Sequence, residues 1–406
     1  MRRGLLSDLF TGVVAKRLTL VETVTKKSNQ HEFQGTKPFK ALFGFDDQAG
    51  IPTRFVMLTG EQEGITEDGF VSWSNVRKGK PRAPEYHLYY SGNNVTEAMH
   101  VDDTMFLARR PNGSILVVIA PKESTLDAQL RWLFGLDYRP TPDEEFKDIA
   151  HDQAAELDFA ARYILDELGI EIEEAEVDVL DAILAPLENK FPTTAAFSAL
   201  ARESLPDVNP LDSVDAALMA WLEREEAMFR RLERSIVSER LRTGFLSDEE
   251  ADVDGFIDFS LSVQNRRKSR AGYSLEHHLG AIFAAHHLPF DRKPKTEGKA
   301  EPDFLFPGGK QYHDASFPSE RLTLLGSKST CKDRWRQVVL EGARVEKKHL
   351  ITLEPSISEH QTNEMQAHKL QLILPKLLHA TYKPAQQGWL MDLEGFVNLV
   401  RSRQAP

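Results

Sequence analysis

A chain of 406 residues, 41% apolar and 28% charged, has room for two or three domains and contains no run of eighteen apolar residues able to cross a bilayer. Its single cysteine, Cys331, excludes an internal disulfide framework and any zinc site built from several cysteines. The formal net charge of −12 argues against a polyanionic partner only if it is spread evenly, and it is not: residues 261–350 hold 17 Lys and Arg against 10 Asp and Glu, and a locally basic surface is what phosphate binding requires.

The opening residues Met1-Arg2-Arg3-Gly4-Leu5-Leu6 carry two basic side chains without an apolar stretch of signal-peptide length, so the expected compartment is the cytoplasm. From Lys16 to about Asp137 short apolar runs alternate with Gly, Asn and Asp. Phe39–Phe45, Arg54–Thr59, Tyr86–Tyr90, Thr104–Arg109 and Ser114–Ala120 read as strands, and Pro111-Asn112-Gly113 reads as a hairpin turn. The expectation is a β-rich domain over 1–138, closed by a helix at Leu126–Leu136. Two basic clusters, Arg77 to Arg82 and Arg109-Arg110, are its candidates for phosphate contact, and each also reads as a solvated loop.

Arg139-Pro140-Thr141-Pro142-Asp143-Glu144-Glu145 has linker composition and opens an acidic, helical linker region over 139–187. Ala154–Leu168 and Ser213–Arg242 are helical by pattern. Gly169 ends the first, and the second has Asp212 as its expected N-cap and Gly244 just past its end. Glu171, Glu173, Glu174 and Glu176 read as a solvated helix terminus rather than a metal cage. So acidic a region suits scaffolding or a dimer surface better than DNA.

Residues 188–406 carry the chemistry. A helix over Ser274–Leu288 has the stripe Leu275, Leu279, Ile282 and Phe283, and its histidines, His277, His278, His286 and His287, point to different faces, which argues against zinc. Arg266, Arg267, Lys268 and Arg270 form the densest basic cluster, readable as a phosphate-binding patch or a solvated turn. Pro302–Phe306 and Leu322–Lys328 read as strands joined through Pro307-Gly308-Gly309, with a helix from about Cys331. Asp303 on the first strand and Lys328 at the end of the second are residue types that a metal-dependent phosphodiesterase needs side by side. Glu341 then falls on the flank of a helix whose stripe is Trp335, Val338, Val339, Gly342 and Val345, from where it can face the same cleft. On spacing alone, a solvated strand end and an ordinary helix face fit these residues better than a catalytic set. Tyr312, His313 and Asp314, between the strands, suit structural hydrogen bonding better than chemistry.

Several runs carry a resemblance: Ser262 to Gly272 with Ser274-Leu275-Glu276, Thr296-Glu297-Gly298, Pro302 to Pro307, Tyr312-His313-Asp314, Lys328 to Gln337, and His349 to Leu353. Together they resemble the catalytic core of the EcoRII family of Type II restriction endonucleases, closely over about 255–380 and more faintly from about 190. That resemblance implies a PD-(D/E)xK nuclease whose second acid has moved from the lysine strand to the following helix, with Ser327 near the usual place of the acid. It implies Asp303 and Glu341 as Mg2+ ligands, Lys328 as the catalytic lysine and Glu276 as an accessory acid. Lys332, Asp333 and Arg334 map to the family's sequence-reading segment. Arg or Lys can donate to guanine O6 and N7 while Asp accepts from the cytosine amino group, which suits a CC/GG site.

The same resemblance implies an N-terminal effector domain with a B3-like β pseudobarrel, binding a second DNA site or another effector. Ser91–Asp103 departs from it, being acidic where the family's reading arm is basic. The expected architecture is therefore multidomain: a mainly β N-terminal domain, a helical middle and a C-terminal α/β restriction-endonuclease-like core around a central mixed sheet. The expected activity is Mg2+-dependent hydrolysis of double-stranded DNA at a specific site, by a homodimer matching the two-fold symmetry of that site. The rival expectation is a DNA-binding regulator or defence sensor whose nuclease fold is silent or gated. No residue is assigned to extrusion of a central base pair.

Overall fold

A computed structural model of the chain describes residues 4–23, 31–58, 64–137, 144–151, 156–172, 177–247, 250–298, 300–332 and 334–405. The chain divides into two units, one made of residues up to Glu171 with Pro355–Gln361, the other of Ile172–Glu354 with Thr362–Pro406. No helix among the described residues is long and apolar enough to cross a membrane.

The N-terminal unit is built on eight strands, β1 (Gly12–Arg17), β2 (Glu32–Gly35), β3 (Gln48–Met57), β4 (Ile65–Asn75), β5 (Tyr86–Tyr90), β6 (Thr104–Arg109), β7 (Ile115–Ala120) and β8 (Glu145–Asp148). Their order is β2-β5-β4-β3-β7-β6-β1-β8, with β3 and β7 parallel and the other neighbours antiparallel. All six residues of β7 are buried, which its unbroken apolar sequence Ile-Leu-Val-Val-Ile-Ala requires of an inner strand. The turn at Pro111-Asn112-Gly113 closes the β6–β7 hairpin, with Arg110 N–H donating to Ser114 O at 2.9 Å.

Phe39–Phe45 is a correction. The segment forms α1 (Lys37–Phe43), ended by Gly44 at φ 80°. Phe39, Leu42 and Phe43 satisfy a helical period, whereas the alternating set Phe39, Ala41, Phe43 and Phe45 leaves Leu42 on the other face, and Pro38 in the first turn presets the backbone for a helix. The helix lays Phe43 on Trp73, 5.2 Å between centroids, and Trp73 stacks on Tyr86 at 5.1 Å to centre the core. α2 (Thr125–Phe134) is capped by Ser124, whose hydroxyl accepts from Asp127 N–H, and ends at left-handed Gly135. Residues 145–148, within the expected helical linker, instead add β8 to the sheet beside β1. α3 (Phe159–Glu167) starts behind Asp158 as N-cap, later than the expected Ala154, which lies outside the described residues. So do Arg139 to Asp143 and Glu173, Glu174 and Glu176. Arg77 pairs with Glu85, Lys78 with Asp47 at 2.7 Å, and Arg109 donates to Leu42 O at 3.0 Å, so three of the basic candidates have partners within their own domain.

The C-terminal unit opens with helices α4 (Val177–Leu184), α5 (Thr194–Glu203), α6 (Val214–Thr243) and α7 (Val253–Ala285), the last two separated by the small ladder β9 (Leu246–Ser247) and β10 (Glu250–Ala251). The N-cap of α6 is Ser213, whose side chain accepts from Ala216 N–H, not Asp212. α7 is far longer than the expected Ser274–Leu288, and the cluster Arg266–Arg270 lies on it rather than in a turn. Behind the helices stands a five-stranded sheet of β11 (Asp291–Arg292), β12 (Phe304–Phe306), β13 (Thr323–Lys328), β14 (Lys348–Thr352) and β15 (Leu370–Ile373), in that spatial order. β11, β12 and β13 pair antiparallel, while β13, β14 and β15 run parallel, giving the α/β unit with a mixed sheet that the sequence leads one to expect.

Phe283 joins helix to sheet. Its ring meets Phe306 edge-on at 5.1 Å, Phe304 at 5.3 Å and Phe396 at 6.1 Å, the last on α10, which closes the sheet from Leu393 to Gln404 after the short helices α8 (Gly309–His313) and α9 (Trp335–Leu340). Leu275, Leu279, Ile282 and Phe283 are all fully buried, so the stripe fixes which face of α7 looks toward the sheet. Gly326 on β13 lets α9 approach closely, since a Cβ there would lie 2.6 Å from Val338 Cγ2.

Candidate active site

Asp303 directly precedes β12 and its carboxylate reaches the end of the neighbouring strand. Its Oδ2 accepts the Ser327 N–H at 2.7 Å and the Lys328 ammonium at 2.9 Å. Both donors come from the last two residues of β13, so the β12–β13 register alone brings acid and lysine together. Asp303 is largely buried, and Lys328 is the cation that compensates it.

Glu341 joins them by a route the sequence did not indicate. It is not on a helix flank, because α9 stops at Leu340 and Glu341 is its C-cap in extended conformation, φ −84° and ψ 143°. Gly342 follows at φ 61°, a left-handed turn only glycine makes without strain, and a Cβ there would also press on Leu324. Glu297 and Tyr312 fix the outgoing chain: Glu297 accepts the Ala343 N–H at 3.1 Å and the Tyr312 hydroxyl, and that hydroxyl accepts the Arg344 N–H at 3.3 Å. This is the structural part played by Tyr312, with its phenol pushed up to about 12 by burial and the neighbouring Glu297 carboxylate. His313 contacts Lys295 O through Nε2 at 2.9 Å, away from the acids.

The Glu341 carboxyl is pushed up to about 7, chiefly by burial, with the Asp303 charge adding to the rise and Lys328 and Lys348 opposing it. Among the described residues no hydrogen bond or ion pair reaches that carboxyl. An unpaired acid beside a second acid, both offering only oxygen, is the donor chemistry a hard divalent cation takes, and a cation there would relieve the repulsion between them. The described residues contain no group of three or more His, Cys, Asp and Glu poised around one point, so the protein's donors would be these two acids.

Glu276 lies on α7, where its Oε2 accepts from Arg292 and from Lys293, each at 3.0 Å. Lys293 also donates its main-chain N–H to Asp303 O at 3.2 Å, so one residue ties the accessory acid to the backbone of the first. Arg292 and Lys293 were missed by pattern reading, which had no means of pairing a helix with an edge strand of two residues.

Of the sequence-reading candidates, Lys332 stands in the left-handed region at φ 41° and the exposed Arg334 folds back to donate to Thr330 O at 2.6 Å. Asp333 lies outside the described residues. The α7 cluster is engaged with its neighbours: Arg267 pairs with buried Glu233 at 2.6 Å, Arg270 pairs with Glu226 and covers the Phe229 ring, and Arg266 covers Phe191 at 4.6 Å. Lys268 is exposed on the same helix. Of the histidines of α7 and its C-terminal end, His278 pairs with Glu225 at 2.9 Å and His286 contacts Pro210 O at 3.1 Å.

Residues 229–397, which include Glu276, Asp303, Lys328 and Glu341, match the protein family described as EcoRII C terminal. The match takes in less than half of the chain. Over 190 residues the chain is 43% identical to the Type II restriction enzyme EcoRII of Escherichia coli, covering 47% of this chain and 46% of that enzyme. The match thus spans about half the length of that relative. Among solved structures, metal-depleted Ecl18kI in complex with uncleaved DNA aligns over 57% of this chain and 85% of its own at 20% identity and a TM-score of 0.40. The PspGI restriction endonuclease–substrate DNA complex aligns over 52% and 93% at 13% identity and a TM-score of 0.43. The matching segment begins part-way along α6 and ends within α10.

Proposed function

We propose that the protein is a Type II restriction endonuclease that hydrolyses double-stranded DNA at a CC/GG-containing site, with Mg2+ as cofactor and a homodimer as the active form. One observation carries the reading: Asp303, Lys328 and Glu341 meet inside the segment that matches the EcoRII C-terminal family, with Glu341 unpaired and held near neutrality. Asp303 and Glu341 would hold the cation. When bound, it supplies a lowered pKa for an attacking water and charge neutralisation at the phosphate. Lys328, fixed by Asp303, presents its ammonium to the scissile phosphate as negative charge develops there. Water attacks phosphorus in line, the bond from phosphorus to the 3′-oxygen breaks, and that oxygen leaves with a proton. Glu276, neutralised by Arg292 and Lys293, supports the strand that carries Asp303. Lys332, Asp333 and Arg334 would read base edges, with Arg266, Arg267, Lys268 and Arg270 on α7 contributing positive potential toward the backbone.

The N-terminal unit is read as an effector-type domain of B3-like pseudobarrel kind, regulating the nuclease in response to a second DNA site or another effector. Its eight-stranded mixed sheet supports that reading, while the acidic Glu97–Asp103 segment argues against phosphate contacts from that loop. The deciding experiment is cleavage of a DNA library with Mg2+ beside Asp303→Ala, with the fragment ends sequenced. Discrete ends at one CC/GG-containing site, absent in the variant, are expected. Retained DNA binding with no cleavage would replace this reading with that of a binding protein on a silent nuclease fold.

A further inference from the structure

We propose that Glu354 is a positioning residue for base recognition, an inference that rests on the restriction-endonuclease reading above. Glu354 lies two residues beyond β14 and is 4% exposed. Its Oε2 accepts the N–H groups of Cys331 at 2.5 Å and Lys332 at 3.2 Å, the two residues entering the segment assigned to base reading. A buried carboxylate is costly unless it is satisfied, and here it takes charge-assisted bonds from two main-chain donors of one loop. Lys332 has a positive φ of 41°, so Glu354 holds the backbone where it is strained.

The acid itself is anchored. Its carbonyl accepts the Tyr382 hydroxyl at 2.7 Å, and its N–H donates to Thr352 Oγ1 at 3.3 Å. The Thr352 hydroxyl in turn contacts Ser329 O at 3.4 Å, and Thr352 lies opposite Lys328 in the parallel β13–β14 ladder. The C-terminal end of β14 therefore grips the loop leaving β13 at Ser329, Cys331 and Lys332. Asp303 and Lys328 are held by bonds of their own, on the other side of β13. Glu354 thus governs where Lys332 and Arg334 point, independently of how the acids and lysine meet.

The test compares wild type, Glu354→Ala and Glu354→Gln by the ratio of cleavage at the preferred site to cleavage at sites differing by one C or G. With two main-chain donors left without an acceptor, the ratio for Glu354→Ala should fall about tenfold, the scale of one base contact. Glu354→Gln, which keeps an acceptor oxygen at the same reach, should recover part of it. Wild-type ratios in both variants would overturn the role. Hydrogen exchange at the Cys331 and Lys332 amides of Glu354→Gln decides the matter if the alanine variant does not fold: faster exchange than wild type supports the clamp, unchanged exchange overturns it. A wild-type protein that cleaves without site preference would instead overturn the reading on which the inference rests.

Discussion

Lys328 Nζ stands 2.9 Å from Asp303 Oδ2, and that oxygen also accepts the N–H of Ser327, so two adjacent residues of β13 converge on one carboxylate oxygen. The arrangement makes acid and lysine interdependent. Lys328→Ala should slow single-turnover cleavage at least about 100-fold, the loss of roughly 3 kcal/mol of transition-state stabilisation. Lys328→Arg should not restore it, because a planar guanidinium cannot replace a compact ammonium between the Asp303 oxygen and a phosphate. Full activity in Lys328→Ala at saturating Mg2+ would remove Lys328 from the mechanism.

Glu341 gives a pH signature without any DNA. Its carboxyl sits at about 7 in the folded protein against an ordinary 4.5, so the folded state keeps a proton that the unfolded chain has released. Stability from this group is therefore present below about pH 4.5, falls as pH rises toward 7 and is flat above it. In metal-free buffer, Glu341→Gln should stabilise the protein relative to wild type by a free energy that grows between pH 5 and 7.5 to the order of 1–3 kcal/mol, read as a widening difference in melting temperature. Added Mg2+ should flatten the wild-type trend and leave the variant unchanged. A difference between the two proteins that is independent of pH would contradict this account.

Asp303 and Lys328 were legible because two apolar runs that follow one another in the chain pair antiparallel, which brings the start of one beside the end of the next. Glu341 was legible as a residue but not in its geometry. Trp335, Val338, Val339, Gly342 and Val345 keep helical spacing, yet the helix ends at Leu340 because Gly342 takes a left-handed turn and Glu297 and Tyr312 hold the chain beyond it. Such termination depends on residues more than thirty positions upstream. The same limit hid Glu354, whose partners lie 22 and 23 residues away across a parallel pair, and β8, whose partner β1 lies at the other end of its domain. The basic cluster of α7 was legible as charge, whereas its acidic partners on α6 belong to a helix pair that no local pattern joins.

Those partners give Arg267 and Arg270 a stabilising part separable from DNA affinity. Glu233 is 2% exposed and Arg267 holds it at 2.6 Å, so Arg267→Ala leaves a buried carboxylate without its cation. The expected cost is about 1–3 kcal/mol, below that of a fully buried pair because the guanidinium is half exposed. Lys268→Ala, at an exposed position on the same helix, should reduce the salt dependence of DNA binding. An unchanged melting temperature in Arg267→Ala would show that the α6–α7 ion pair contributes nothing.

The place where the chain can be cut follows from β8. Its four residues pair with Gly12 to Ala15 of β1, and α3 behind it buries Ala160, Ala161, Ile164 and Leu165. A chain beginning near residue 140 would keep this strand and helix without the sheet they complete, exposing an unpaired edge and an apolar face. One beginning at Ile172 removes the N-terminal strands, β8 and α3 together. The shorter chain should therefore melt cooperatively and stay monodisperse, while the longer one binds a hydrophobic dye and aggregates. Cleavage by the 172–406 chain then tests regulation directly. A rate above that of the full-length protein is the result expected of an N-terminal unit that restrains the nuclease, and an unchanged rate would eliminate gating of any kind.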